Sequence, residues 1–323
     1  LELWGPHRAW ISRQDIASAP PATEKAETMI SNPIPWPHGA RCACAITFDV
    51  DADSLIHIAR PQDSFNRLNP ISVGRYGPTV AVPRILETYR RLGLRQSFFI
   101  PGWTMERYPQ AVEAILAGGH EVGHHGYLHE DPTALNAEQQ RVVIERGLEV
   151  HQRMTGRKPR GYRAPVYNIT QDTIELLLEH GFRYDSSMMG DDIPYLLDCR
   201  GRTLYEVPAH WGSDDWPPFA HYAEIGYMMP VQAPSDGFAA SFEEFEAQYE
   251  AGGFWMGIWH PFLTGRLARW RVVERWLENV LATKKVWFAP LEEIVAYVDQ
   301  LTANGSYQPR RDSLPYFTGP VGP

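Results

Sequence analysis

Cys42-Ala43-Cys44-Ala45-Ile46-Thr47-Phe48-Asp49-Val50-Asp51-Ala52-Asp53 is the stretch that decides how this chain folds. Up to Phe48 it carries one polar side chain, Thr47, so it reads as a buried strand, and the strand ends in acids. Asp49, Asp51 and Asp53 alternate. In an extended chain they share one side, where their charges repel unless a cation lies between them. A solvated loop start accounts for these acids equally well when they are taken alone. Cys42 and Cys44 also alternate and read as small buried hydrophobes, because no second Cys or His cluster stands beside them at finger spacing. With Cys199 they make three cysteines, too few for a disulfide framework and in keeping with a reducing compartment.

Downstream of this strand, apolar runs alternate with helical segments. Residues 54–77, with Pro61, Pro70, Gly74 and Gly77, read as a long loop. Val82, Ile85, Leu86, Tyr89 and Leu92 recur close to helical spacing within 78–92, and Gly93 ends that helix. Further strands are expected at 96–100, 120–124, 161–164, 182–185, 204–208, 254–260 and 286–288. Helices are expected at 108–117, 136–155, 170–180, 268–282 and 290–302, and Ser241 with Glu244 makes a capping box for one more. Strand then helix, repeated seven or eight times, predicts an α/β fold, a (β/α) barrel of seven or eight parallel strands within residues 41–302. Residues 1–40 read as an N-terminal arm or extension, and 303–323 as an extended C-terminal tail.

A length of 323 residues suits one such barrel, and 44% hydrophobic residues supply a large core. The formal net charge of −9 argues against a nucleic-acid footprint and against attraction to anionic lipids. No run of 18 apolar residues marks a transmembrane helix. The first residues lack the charged-then-apolar order of a signal peptide, so the expected location is cytoplasmic. The chain begins without methionine; Met29 is the expected natural start, with residues 1–28 an upstream extension.

Several expected strands end in an ionisable group: Asp49 and Asp51, His125 with His129, Arg163, Asp185 and His260. In a barrel of this kind, the C-terminal strand ends converge on the face where chemistry is done. His125 and His129 stand four apart, which places both imidazoles on one face of a helical turn. Two such histidines and a distant carboxylate suit a divalent metal and leave positions open for water and substrate. Arg163 can hold a carboxylate ionised, although taken alone it reads as a surface ion pair. His260 is suited to acid–base work, or taken alone to a buried bond with a carbonyl. Trp211, Asp214, Asp215 and Trp216 could line a pocket or pack as a loop.

Taken in order, these segments resemble the polysaccharide deacetylase, or NodB-homology, family of carbohydrate esterases, from about Cys42 to Phe288. The resemblance implies a distorted barrel of the NodB-homology type. It implies Asp49 as catalytic base, Asp51, His125 and His129 as metal ligands, Arg163 as the residue orienting the base, and His260 as general acid. The family's fourth motif is matched in part by Asp185, which is assigned to hold His260 in its tautomer. The residue between the two acids is similar to an intracellular branch of peptidoglycan-deacetylase-like proteins, cyclic imidases and allantoinases. Gly126 departs from the Ser or Thr that usually follows the first histidine. The retained ligand set argues against the metal-independent allantoinase type.

The expected activity is hydrolysis of a carbon–nitrogen amide bond with one divalent metal, Zn²⁺ first and Fe²⁺, Co²⁺ or Ni²⁺ as alternatives. Asp49 takes a proton from the attacking water and His260 protonates the leaving nitrogen. Backbone N–H groups near Val166 and Tyr167 stabilise the oxyanion. Tyr167, Val166, Trp211 and Asp215 are the expected substrate-binding residues. A small cyclic imide or ureide is preferred as substrate, and an N-acetylated amino sugar is the alternative. A barrel that binds without turnover is the rival from another class, opposed by the complete acid, base and ligand set. Homo-oligomerisation suits this branch, with no subunit number set by the sequence.

Overall fold

The computed structural model describes residues 29–322. Most of the expected arm, residues 1–28, lies outside the described residues, as does the question of the start at Met29. Strand β1 is Cys42–Asp49, buried along its whole length. Its two faces differ. Cys42, Cys44, Ile46 and Phe48 join Tyr89, Phe98, Trp255, Trp259 and Trp270 in the core beneath the helices. Ala43 and Ala45 join Phe99, Tyr184, Met256 and Ile258. Side chains inside a small barrel crowd toward its axis, so the inner row is small and the outer row bulky. Full burial of a side chain such as Phe48 contributes about 2 kcal/mol. Thr47 and Asp49 continue the inner row toward the C-terminal end of β1.

The remaining strands are β2 (Ser97–Ile100), β3 (Glu121–His124), β4 (Gly161–Tyr162), β5 (Tyr184–Asp185), β6 (Tyr195–Cys199), β7 (Arg202–Glu206), β8 (His221–Tyr222), β9 (Tyr227–Met228), β10 (Phe254–Trp259), β11 (Val286–Phe288) and β12 (Arg311–Leu314). The large sheet runs β10-β1-β2-β3-β4-β5-β7-β6-β12, with β11 also on β1. Every neighbour from β10 to β7 is parallel, as is β11 on β1. That is the expected set of seven or eight parallel strands. Among the described residues no continuous ladder closes the ring. The free edge of β10 is instead met by a single parallel bridge, Asp214 to Ile258, with Asp215 N–H donating to Ile258 O at 3.0 Å. Because Asp214 follows β7 along the chain, this contact draws the two ends of the parallel run together.

Three expectations are corrected. Residues 54–77 are largely helical, in Ser54–Ala59 and Leu68–Tyr76, and a π-helical stretch Gly77–Ala81 runs into the helix Val82–Leu92. Pro70 and Pro78 sit near the starts of their elements, where a missing N–H is tolerated. Gly74 serves close approach: a Cβ there would lie 2.5 Å from Ala52 O. The Ser241 capping box is absent, because the helix already begins at Ala239 with Phe238 as its cap. The segment 303–323 contains more than extended tail, since β12 pairs in parallel with β6 and Arg310 reaches Asp191 at 2.6 Å. Strand β6 and the β8–β9 hairpin were not foreseen.

Candidate metal and acid–base site

At the exit of β1, Asp49 meets Arg163, which leaves β4 and is wholly buried. Arg163 Nη1 donates to Asp49 Oδ1 at 2.7 Å and to Thr47 Oγ1 at 2.8 Å. Its Nε and Nη2 donate to the carbonyl and hydroxyl of Ser186, both at 3.0 Å, and its plane lies 4.2 Å from the Phe99 ring centroid. A guanidinium bonded along its whole fork holds Asp49 in one orientation. The second Asp49 oxygen is 3.9 Å from His125 Nε2.

Val50 continues the strand through its N–H to Phe99 O, and Ala52 then turns the chain with φ 56°. Between them Asp51 is buried, yet neither of its oxygens accepts a hydrogen bond of good geometry among the described residues. Three imidazoles face it instead. His125 Nε2 is 3.4 Å from one oxygen, and His129 Nε2 and His260 Nε2 are each 3.5 Å from the other. His125 Nδ1 lies 2.8 Å from Arg163 O. A carbonyl only accepts, so Nδ1 carries the hydrogen and the Nε2 lone pair is left toward Asp51. One donor atom each from Asp51, His125 and His129 lie within 4.8 Å of one another. Orphaned buried carboxylate oxygens beside imidazole nitrogens fit a divalent cation.

The two histidines converge by a loop, not by the expected helical turn. Gly126 has φ 72° and His129 φ 74°, both left-handed. Glu130 Oε2 accepts the N–H groups of Tyr127 and Leu128 at 3.0 and 2.9 Å and ties the loop shut. A glycine suits a left-handed position at no steric cost, which accounts for Gly126 where the family usually has Ser or Thr.

Burial alone would raise the pKa of Asp51, but the charges of the neighbouring imidazoles of His129, His125 and His260 outweigh it and hold the carboxyl well below its ordinary range. Burial, reinforced by His125 and His260, lowers His129 to about 4 and keeps its lone pair available. For His125, burial is outweighed by Asp49 and Asp51, which raise it.

His260 follows β10. Its Nδ1 lies 2.7 Å from Asp215 Oδ1, and Asp215 Oδ2 accepts the N–H groups of His260 and Thr264 and the Thr264 hydroxyl at 2.5 Å. Burial opposes the charged ring, yet Asp215 outweighs it and raises His260 to about 10. This corrects two expectations. Asp185, expected to orient His260, lies buried elsewhere: its oxygens accept from Ser187, and it faces Glu206 across β5 and β7. Asp215, expected to bind substrate, is the residue that orients His260. A carboxylate one strand away in sequence pattern and one at the bridge to β10 look alike until the barrel is assembled.

The other expected residues surround a cavity of about 550 Å³ that opens over this cluster. Val166 and Tyr167 have φ 52° and 59°, a strained turn at the cavity wall. Tyr167 N–H donates to Ala164 O at 3.0 Å and is thus engaged within the turn. The Tyr167 hydroxyl donates to Asp214, and Trp211 stands edge-on to the Tyr167 ring at 5.0 Å. Burial and then Asp215 raise Asp214 to about 7 against the charge of His260. Leu55, Ile58, Asp131, Ile225 and Tyr227 also line the cavity. Sequence reading points to Tyr227 among its aromatic loops but missed Leu55, Ile58, Asp131 and Ile225, which sit in segments that carry no strand signal.

Fold and rim together define a barrel hydrolase with a two-histidine, one-aspartate cluster at the C-terminal ends of its parallel strands. The sequence profile described as "Polysaccharide deacetylase" matches residues 76–184. Peptidoglycan deacetylase of Helicobacter pylori is 29% identical, over 77% of this chain and 94% of that one. Peptidoglycan deacetylase-like protein FGM2 of Gibberella zeae is 32% identical, over 69% and 71%. A crystal structure of a family-assigned polysaccharide deacetylase from Mycobacterium smegmatis is 34% identical, covers 88% of this chain and 98% of its own, and has a TM-score of 0.82. This chain belongs to the polysaccharide deacetylase family.

Proposed function

We propose that the barrel of residues 41–302 is a metal-dependent, cytoplasmic amidohydrolase that opens a small cyclic imide or ureide, or cleaves a similarly small amide. The observation that carries this reading is Asp51. Among the described residues both oxygens of this buried carboxylate lack a hydrogen-bond donor, and they are faced by His125 and His129, between an arginine-held Asp49 and an aspartate-held His260. Asp51, His125 and His129 would hold the cation, Zn²⁺ first, with Fe²⁺, Co²⁺ or Ni²⁺ as alternatives. When bound, it supplies Lewis acidity toward the amide carbonyl and toward water.

The chain's own groups do the rest. Asp49 accepts a proton from the water that attacks the carbonyl carbon. The Val166 N–H stabilises the carbonyl oxygen as it gains charge. His260 Nε2 delivers its proton to the nitrogen as the C–N bond breaks, and Asp215 stabilises the ring in its charged form until then. For a cyclic imide the products are a carboxylic acid and an amide joined in one opened chain. The cavity size supports one small molecule.

A second reading, removal of an N-acetyl group from an amino sugar, is favoured by the names of the two curated relatives. Separate incubation with succinimide and with N-acetylglucosamine oligomers, alongside elemental analysis of wild type and His125→Ala, tests both. Ring opening by a protein holding near one metal per chain, lost in the variant, is expected. Release of acetate from the oligomers with no ring opening transfers the conclusion to the second reading. No metal and no turnover leave a binding barrel.

A further inference from the structure

Two segments outside the strand–helix repeat form a roof over the cavity, and they are joined to each other. One is the helix Ser54–Ala59 with the helix Leu68–Tyr76 behind it. The other is the β8–β9 hairpin with its turn Ala223–Ile225. Arg67 Nη1 donates to Glu224 Oε2 at 2.7 Å, and Arg60 Nε lies 3.8 Å from the same oxygen. The Tyr222 hydroxyl donates to Pro70 O at 2.5 Å. The roof is therefore latched at two points and holds its inner face in place.

That inner face is mostly hydrocarbon, with Tyr227 of β9 its one polar-tipped side chain. The helix contributes Leu55, Ile58 and Ala59 to the cavity, and the turn contributes Ile225. None of these side chains has a polar atom. Trp216 stands between this face and His260, its ring 5.1 Å from Tyr227 and 4.9 Å from His260. The charged and titratable groups belong to the rest of the lining: Asp49, Asp51, His125, His129 and His260, with Asp131 and Asp214.

A substrate whose amide sits at these groups meets the apolar surface of the roof. A sugar in that place leaves the hydroxyls that face Leu55, Ile58 and Ile225 without partners, and each unpaired hydroxyl lowers affinity about tenfold or more. A ring with an apolar face gains by the same contact. Resting on the reading of the cavity as an amidohydrolase site, we propose that this roof selects small amides whose scissile carbonyl is flanked by an apolar, planar ring, and disfavours N-acetylated sugars.

The test separates binding from turnover. Affinities of phthalimide, succinimide and di-N-acetylchitobiose are measured by calorimetry on the full chain, zinc-reconstituted, in an Asp49→Asn background that blocks hydrolysis. Phthalimide is expected to bind about tenfold or more tightly than succinimide, because its fused benzene ring meets Ile58 and Ile225. Ile58→Ser and Ile225→Ser are each expected to shrink that ratio several-fold, with circular dichroism confirming that both fold. Equal affinities for all three compounds, or a ratio unmoved by both serine variants, overturns the proposal. A preference for phthalimide without hydrolysis by the chain with Asp49 intact sinks the hydrolase reading and leaves the roof's selectivity standing.

Discussion

Asp51 and Glu121 are both buried carboxylates, at opposite ends of the same parallel sheet, and the chain treats them in opposite ways. Glu121 opens β3. Its Oε2 accepts Ser97 Oγ at 2.6 Å and Glu292 N at 3.0 Å, and its Oε1 accepts the Tyr184 hydroxyl at 2.7 Å. Ser97 in turn accepts Leu291 N at 2.8 Å, so Glu121 staples the start of the helix Leu291–Ala303 to the base of the barrel. Asp51 lies beyond the other end of β1 and has no such donors among the described residues, only imidazoles. A buried carboxylate supplied with N–H and O–H partners belongs to the fold. One left with lone pairs toward neutralisable histidines is arranged for something that arrives from outside.

The largest effect is expected next to Asp51. Asp49→Asn removes the proposed base and should lower turnover about 10³-fold, measured as initial rate on the identified substrate. Wild-type rates in that variant would break the assignment of this end of the barrel to chemistry. Added zinc should stabilise the wild type by about 4 kcal/mol at roughly a thousand times its dissociation constant, read as a rise in melting temperature. Glu121→Gln should keep that response and Asp51→Ala should lose it. Equal responses in both variants would erase the contrast between the two carboxylates.

The smallest effect concerns Glu121 itself. Burial, and then the charge of Glu292, raises its pKa from 4.5 to about 7. Below 4.5 the folded and unfolded chains both hold the proton and its contribution is fully present. As pH rises to 7, the unfolded chain releases the proton first, and stability falls by about 3 kcal/mol before levelling off. Denaturant unfolding of wild type and Glu121→Gln at pH 4.5 and pH 8 should show the difference between them move in the variant's favour by that amount. A pH-independent difference would mean that Glu121 is ionised in the folded chain as readily as in the unfolded one.

Particular residues mark how far the sequence could be read. The β1 stretch was legible because a run of apolar residues can only be a buried segment, and the alternating acids that close it set where that segment meets water or a cation. Histidines 125 and 129 were legible as a pair from spacing, but their geometry was not: the loop depends on left-handed Gly126 and His129 and on Glu130 reaching back to two N–H groups. Segment 54–77 was misread because its prolines and glycines answer to tertiary needs, with Gly74 pressed against Ala52. Strand β12 is short and pairs with β6 more than a hundred residues away, whereas β6 is one arm of a tight hairpin with β7 whose turn was overlooked.

What the sequence alone determined was the alternation of strand and helix, the family, and most of the groups that meet at the barrel rim, Asp185 excepted. Local periodicity and strand-end placement carry that much information, because they are properties of neighbours in the chain. Which carboxylate orients His260 was decided only in three dimensions. Asp185 and Asp215 are equally plausible as text, and Asp215 takes the role because the single bridge at Ile258 brings it beside the end of β10. The same holds for the roof, where Arg67 and Glu224 stand 157 positions apart and meet only once the barrel has brought both segments over the site.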